Sequence, residues 1–403
     1  MTALFAPDEL RARADRARAL MAEQRLDALL VSGDFSAGAN YYYFSGHLPR
    51  DYQQNFSRPH LMVLPADGEP FLYVYGVNVE NARDMSYVDD VVAYAPPFDG
   101  ATLAGVLRER GLSTARIGAE LGTDQRVWMP LAEFRSMEAA LPDARFLDAA
   151  DLLWRLRSIK SDAEIAYIEQ ADRINGEGLA AGFAAIRSGD TEVDASRKVG
   201  AALVEAGAYR PPYAQINLVS HAKSRALGHR SRMLGPIADY ALAPGDLLFV
   251  DSGVVVGAYW GEFNRMAVVG EPSDEQRRHH DAIREVVARS VDEALKPGVG
   301  FRRVIEQMAG FYRDCGYGEE QFSNYLGPPF MHLCHGLGLA SSEPPFVRFD
   351  SDAVLEPGMV LSCEAYLRAD SMTYGSEEDV VITRDGCRVL SDRDPGLYVL
   401  EAA

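Results

Sequence analysis

The sequence predicts two layered domains: an α/β domain over residues 1–158, and an α+β domain over 159–403 built from an internal repeat with pseudo-twofold symmetry. Three observations lead there. The chain has 403 residues, 47% hydrophobic and 25% charged, which is a globular composition too long for one small core. Its first part alternates segments of helical and strand-like apolar spacing, the mark of a mixed layer domain. Its second part repeats itself. LAPGDLLFVD (242–251) and LEPGMVLSCE (355–364) share Leu, Pro and Gly at fixed places and end in an acid, with 113 positions between Asp251 and Glu364.

The elements follow in order. Residues 7–24 carry apolar side chains at helical spacing, DALLVSG (27–33) reads as a buried strand, and HLMVLPADGEPFLYVYG (60–76) reads as a hairpin around Ala66-Asp67-Gly68. A helix near TLAGVLRERG, a strand at ARIGAEL and a helix near PLAEFRSMEAAL continue the alternation to about residue 150. No GxGxxG follows a strand and no GxxxxGK occurs, so this half carries no nucleotide-binding signature. Ser161 to Glu164 and Ser273 to Gln276 are capping boxes that open two long helices. The first carries Ile165, Ile168, Ala171, Leu179, Phe183 and Ile186, with Gly189 placed to end it; the second runs through Ile283, Val286, Val287 and Val291 and stops before Pro297-Gly298. Each copy of the repeat then reads as this long helix, a shorter helix (about 190–207 and 300–315), a strand and loop bearing a His, and a strand pair bearing two acids. Packed face to face, two such copies bring the ends of equivalent strands together.

Charge and cysteine usage exclude several classes. Lys and Arg total 40 against 59 for Asp and Glu, a net charge of -19, which opposes contact with nucleic acid or anionic membrane. The first residues form a charged amphipathic helix, with no apolar run of signal-peptide or membrane-spanning length. These features predict a soluble cytoplasmic protein with neither nucleic acid nor membrane as partner. Cys315, Cys334, Cys363 and Cys387 form no CxxC pair and read as free thiols.

The chemistry lies in the second domain. Asp251 in FVDSG, Glu262 in AYWGEFNR, Glu364 in SCEAY and Glu378 in EEDVVIT each follow or open an apolar strand. A carboxylate at a buried strand end must be solvated, paired or bound to a cation, and several converging on one place call for a cation. With His335 of HLCHGLGL the set is oxygen-rich with one imidazole, which suits manganese, cobalt or zinc better than copper or an iron–sulfur cluster. Two ions sharing carboxylates is the natural occupancy. Glu377 competes with Glu378, since strand alternation puts only one of them on a given face. Among the other histidines, His279 and His280 follow Gln276-Arg277-Arg278 on a charged helix face and are expected to be solvated. His47 and His60 belong to the first domain.

These residues resemble the pita-bread metallohydrolases, the group of prolidase, aminopeptidase P, methionine aminopeptidase and creatinase. The likeness covers nearly the whole chain: NYYYFSGH stands in the place of the "YLTG" segment of the creatinase and prolidase amino-terminal domain, and LRSIKSDAEIAYIEQA matches the joining helix. The resemblance implies an α/β amino-terminal domain of that type and a pita-bread carboxy-terminal domain. It places Asp251, Glu262, His335, Glu364 and Glu378 on the five metal-ligand positions and His229 on the first substrate-side histidine. Glu364 would shuttle the proton and His229 would donate to the oxyanion or the substrate carbonyl. It further implies a homodimer in which the partner's first domain closes the pocket, through the loop LPRDYQQNFSRPH. Three positions depart from the family: Glu262 replaces Asp, Ser342 in SSEPP replaces the His of "HExP", and Ser376 replaces an Arg. Ser342 and Ser376 are accordingly the substrate-binding candidates.

Two readings follow. The first is a hydrolase of carbon–nitrogen bonds that uses one or two divalent ions (Mn, Co, Zn or Fe), resembles Xaa-Pro dipeptidase or aminopeptidase P, and acts on short peptides. The alternative is a creatinase-branch enzyme acting on a small nitrogenous metabolite, in a metal-free state with the acids caging a cation. A third class, a catalytically silent homologue, would be marked by Ala or Lys at one of the five positions, and none is present.

Overall fold

The computed structural model describes residues 4–34, 38–49, 58–208, 215–227, 237, 239–326, 332–369 and 372–402. The chain divides into two compact units, Met1–Arg157 and Ser158–Ala403.

In the first unit, helices α1 (Pro7–Gln24), α2 (Ala39–Ser45), α3 (Val79–Met85), α4 (Gly100–Glu109), α5 (Leu131–Ala140) and α6 (Ala150–Ser158) alternate with six strands. These are β1 (Ala28–Gly33), β2 (His60–Pro65), β3 (Phe71–Tyr75), β4 (Asp90–Tyr94), β5 (Arg116–Ala119) and β6 (Arg145–Asp148), in the sheet order β4-β3-β2-β1-β5-β6. Strand β1 is buried on both faces, as its continuous apolar run requires, and the 60–76 hairpin forms around the expected turn. Leu30, Val63 and Ile117 of the sheet pack with Leu103 and Met137 of the helices in one core.

The second unit shows the repeat directly. Helices α7 (Asp162–Ala185) and α10 (Asp274–Arg289) both start at capping boxes whose reciprocal hydrogen bonds form, Ser161 with Glu164 and Ser273 with Gln276. Helices α8 (Glu192–Ala206) and α11 (Phe301–Asp314) are the shorter partners, and α9 (His221–Leu227) and α12 (Glu319–Leu326) are brief. Strand β7 (Gln215–Ser220) precedes the hairpin β8 (Leu247–Val256) and β9 (Tyr259–Val269). Strands β10 (His332–Gly336) and β11 (Glu343–Arg348) precede the hairpin β12 (Val360–Ala369) and β13 (Met372–Ile382), with β14 (Cys387–Val389) and β15 (Tyr398–Leu400) closing the edges. The two hairpins have identical strand lengths, and the offset of 113 maps each residue of one onto the other, as it maps Asn264 onto Glu377. The sheets run β15-β9-β8-β7 and β11-β10-β12-β13-β14.

Helix α7 ends at Ala185, before Gly189, because Ile186 leaves the helix to enter the core beside Phe183. His279 and His280 are buried, against the expectation of a solvated face. His279 Nδ1 lies 2.9 Å from the Tyr317 hydroxyl, and His280 Nε2 lies 3.6 Å from Asp394 Oδ2. Helix α10 packs against β12 and β13, with the His279 ring 5.2 Å from that of Tyr374 on β13, which a reading of the flanking charges does not reveal. Among the described residues no helix is long and apolar enough to cross a membrane.

Candidate metal centre

Strand register determines which acids share a face. In the first hairpin a two-residue turn at Gly257-Ala258, both at positive φ (57° and 71°), matches the twist of the strands. It places Asp251 opposite Asn264 and Gly253 opposite Glu262. Directly opposed residues project to the same side, so Asp251 and Glu262 point together. The outward residue between them, Ser252, is clamped to α7 by Asn175, which donates to the Ser252 carbonyl at 2.8 Å and accepts from its hydroxyl at 2.6 Å. In the second hairpin Glu364 faces Glu377, Tyr366 faces Gly375, and Ser362 faces Asp379.

His335 enters from β10. Its Nδ1 donates to the Gly336 carbonyl at 3.1 Å, which leaves the Nε2 lone pair facing Glu262 Oε1 at 3.4 Å and Glu364 Oε1 at 3.8 Å. Burial holds this imidazole below its ordinary pKa, hence neutral. Cys334 next to it pairs with Cys363 across the strands on the other, apolar face, which separates the thiols from the imidazole as alternation requires. Glu262, His335 and Glu377 each present a ligand atom, all within 4.8 Å of one another.

The electrostatics identify what belongs among these groups. Burial first, then the charges of Glu377, Asp251, Asp379 and Glu364, push Glu262 well above the carboxylate range. Burial, with Asp251 adding to it, pushes Glu364 up to about 7. Glu377 rises through burial and through Glu364 and Asp251. A neutral imidazole lone pair set among acids that resist ionisation is a ligand set for a divalent cation, which reverses each of these penalties. A backbone carbonyl on the second imidazole nitrogen is the usual support of a metal-binding histidine.

A second layer fixes the acids. Glu377 accepts from Asn264 N at 3.0 Å, from Asn264 Nδ2 and from Ser362 Oγ. Asp379 Oδ2 accepts from Glu262 N at 3.0 Å, and the carboxyl of Asp172 on α7 lies near that of Asp379, burial raising both above the carboxylate range. Gly261 permits this approach, since a Cβ there would lie 2.4 Å from Asp172 Oδ1. Lys160 and Glu343 form a fully buried ion pair at 3.2 Å. Glu343 also accepts from Ala340 N at 3.2 Å, which pins the segment following His335.

The predicted residues fall as follows. Asp251, Glu262, His335 and Glu364 are brought together. Glu378 is not with them: it stands opposite Cys363 on the reverse face, accepts from Asp394 N at 2.7 Å and from Ser391 Oγ, and pairs with Arg265 at 3.4 Å. Glu377 takes its place, because equal hairpin lengths put position 377 opposite 364. Counting outward from the Gly257-Ala258 turn and adding the repeat offset was the signal available in the sequence. Ser376 shares the reverse face, where its hydroxyl donates to Asp394 Oδ2 at 2.8 Å, and this withdraws it from the acids. Ser342 is exposed in the turn after β10. His229, and most of the loop LPRDYQQNFSRPH, lie outside the described residues. Asp172 and Tyr366 were missed: Asp172 meets Asp379 through helix-on-sheet packing, which leaves no spacing signal, whereas Tyr366 lies two residues after Glu364 on one strand, a spacing the sequence carries.

The sequence profile of metallopeptidase family M24 matches residues 166–384, more than half of the chain. The chain belongs to this family. Residues 13–159 match the creatinase/prolidase amino-terminal domain. Among curated relatives, an Xaa-Pro dipeptidase of Lactobacillus helveticus is 27% identical over 362 residues, covering 89% of this chain and 92% of that protein. An Xaa-Pro dipeptidase of Pyrococcus furiosus is 28% identical over 385 residues, covering 95% and 98%. The crystal structure of an X-Pro aminopeptidase from Thermotoga maritima superposes with a TM-score of 0.79 at 25% identity, covering 96% of this chain and 100% of that one. The fold is therefore the expected one, an amino-terminal creatinase/prolidase domain followed by a pita-bread domain, and this M24 chain is a metal-dependent hydrolase of carbon–nitrogen bonds.

Proposed function

We propose that the chain is an Xaa-Pro dipeptidase or aminopeptidase, which cleaves the bond preceding proline in short peptides and works as a cytoplasmic homodimer with one or two ions of manganese, cobalt, zinc or iron. The observation that carries this reading is the neutral His335 Nε2 set between Glu262 and Glu364. The similarity to proteins named Xaa-Pro dipeptidase supports the substrate class and disfavours the metal-free alternative with a small nitrogenous metabolite.

Asp251, Glu262, His335, Glu364 and Glu377 would hold the ion, which when bound lowers the pKa of water and polarises the scissile carbonyl. Glu364 takes the proton of the attacking water and returns it to the leaving amine. His229 would donate to the oxyanion, and the exposed Ser342 offers a hydroxyl at the place of the histidine in the "HExP" pattern that the sequence resembles.

Elemental analysis of protein purified without chelator, paired with hydrolysis assays on Xaa-Pro dipeptides and on longer peptides with proline second, tests the reading. One or two equivalents of a transition metal and proline-dependent cleavage are expected. Metal-free protein that stays folded and cleaves nothing would refute it. Light scattering on the purified protein measures the dimer.

A further inference from the structure

The two oxygens of Glu364 are divided between different partners. Oε1 faces His335 Nε2, whereas Oε2 accepts from the hydroxyl of Tyr366, two residues further along β12 and hence on the same face. The tyrosine is fixed independently of this contact. Its backbone N–H donates to the Tyr312 hydroxyl at 2.8 Å, and that hydroxyl donates to the Tyr366 carbonyl at 3.0 Å. Its ring lies 6.3 Å from the ring of Phe249, centroid to centroid. Across the strand pair the ring occupies the space that Gly375 leaves: a Cβ at Gly375 would come within 3.0 Å of Tyr366 Cδ1 and 2.7 Å of Phe249 Cε2.

The repeat adds a second observation. The counterpart of Tyr366 in the first hairpin is Gly253, whose cross-strand partner is Glu262; in the second hairpin Tyr366 itself faces Gly375, the counterpart of Glu262. Each hairpin thus sets one glycine against one long polar side chain at this level, on opposite strands in the two halves. One half sends in Glu262, and the other sends in Tyr366.

We propose that Tyr366 is a positioning residue for Glu364: its hydroxyl occupies Oε2, blocks rotation of the carboxylate, and leaves Oε1 as the oxygen presented to His335 and the reacting water. This rests on the reading of Glu364 as proton shuttle. A carboxylate free to turn would spend part of its time with the wrong oxygen forward, and misplacement of a reacting group lowers the catalytic step more than substrate binding.

Tyr366→Phe keeps the ring and removes only the hydroxyl. With an Xaa-Pro dipeptide, kcat should fall on the order of ten- to a hundredfold with KM unchanged, and the Mn2+ dissociation constant from calorimetric titration should rise about tenfold, the size of a lost outer-shell partner. The ultraviolet Raman difference between metal-free parent and variant should carry the tyrosine doublet of a strong hydrogen-bond donor. Parental kcat, a loss shared equally with KM, or a difference spectrum without the donor signature would each overturn the proposal. A parent protein that cleaves no Xaa-Pro peptide would instead defeat the peptidase reading; Tyr366 is then judged by the spectrum and by Mn2+ affinity, and an unchanged affinity overturns it.

Discussion

Glu364 and Glu377 stand directly opposite each other across β12 and β13, so two acids from one hairpin enter the same small space while Glu378 turns to the reverse face.

This register separates two neighbouring glutamates by experiment. Glu377→Gln should lose metal and activity. Glu378→Gln should keep its metal but lower stability by about 3 kcal/mol, because it strips a buried partner from Arg265. Metal content and urea unfolding of both variants check this, and metal lost only from Glu378→Gln would reverse the assignment.

The acids also make stability depend on pH. Glu364 is raised from 4.5 to about 7, so the folded metal-free protein holds a proton that the unfolded chain releases. Its contribution is full below pH 4.5 and disappears as pH rises through about 7. The transition of the second unit in metal-free protein should therefore move to lower temperature over that window, and added Mn2+ should restore it. A transition of the second unit that moves to higher temperature over the same window in chelator would contradict the shift.

The first unit should respond in the opposite sense. Tyr41 donates to His47 Nδ1 at 2.6 Å, and His47 Nε2 donates to Asn81 Oδ1 at 2.7 Å, an arrangement available only to the neutral ring. Burial lowers His47 from 6.5 to about 4 and the adjacent His60 to about 3. Stability from the pair is complete above pH 6.5 and declines toward pH 3 as the unfolded chain takes up protons first. Calorimetry across this range should show the loss, and His60→Gln should flatten it.

The Lys160–Glu343 pair, with both side chains 1% exposed, gives a third stability test. Lys160→Met alone should cost about 3 to 5 kcal/mol by stranding a buried carboxylate, and the double change Lys160→Met with Glu343→Leu should recover much of it. Denaturant titration of the single and double variants measures the difference; equal losses in both would show that the charge is not what matters.

Much of the architecture was legible because it rests on local signals. The capping boxes at Ser161 and Ser273, the apolar run of β1 and the LxPG repeat each specify an element by composition and spacing. Asp251, Glu262, His335 and Glu364 were legible because each adjoins an apolar run in which a lone charge would be costly, although the strands continue past Asp251, Glu262 and Glu364, so that these acids lie within their strands and not at the ends. Glu377 was confused with Glu378 because alternation restricts the choice to one of the two, and only the hairpin register makes it. Asp172 and Asn264 act through helix-on-sheet and hairpin-on-hairpin packing, which no single stretch of sequence encodes. The burial of His279 and His280 has the same origin: the flanking arginines describe the helix's outer side and say nothing of the sheet beneath.

Asn264 and Glu377 are counterparts in the two hairpins, and they touch. The local dyad therefore runs between two residues that a strict duplication would make identical. Two glutamates there would repel, and two asparagines would remove an acid from the set. A half-length chain assembling with its own copy can only place like against like at that axis. Joining the halves in one polypeptide lets each diverge, with a donor on one side and an acid on the other, so the centre depends on a difference between the halves that assembly of identical copies could not supply.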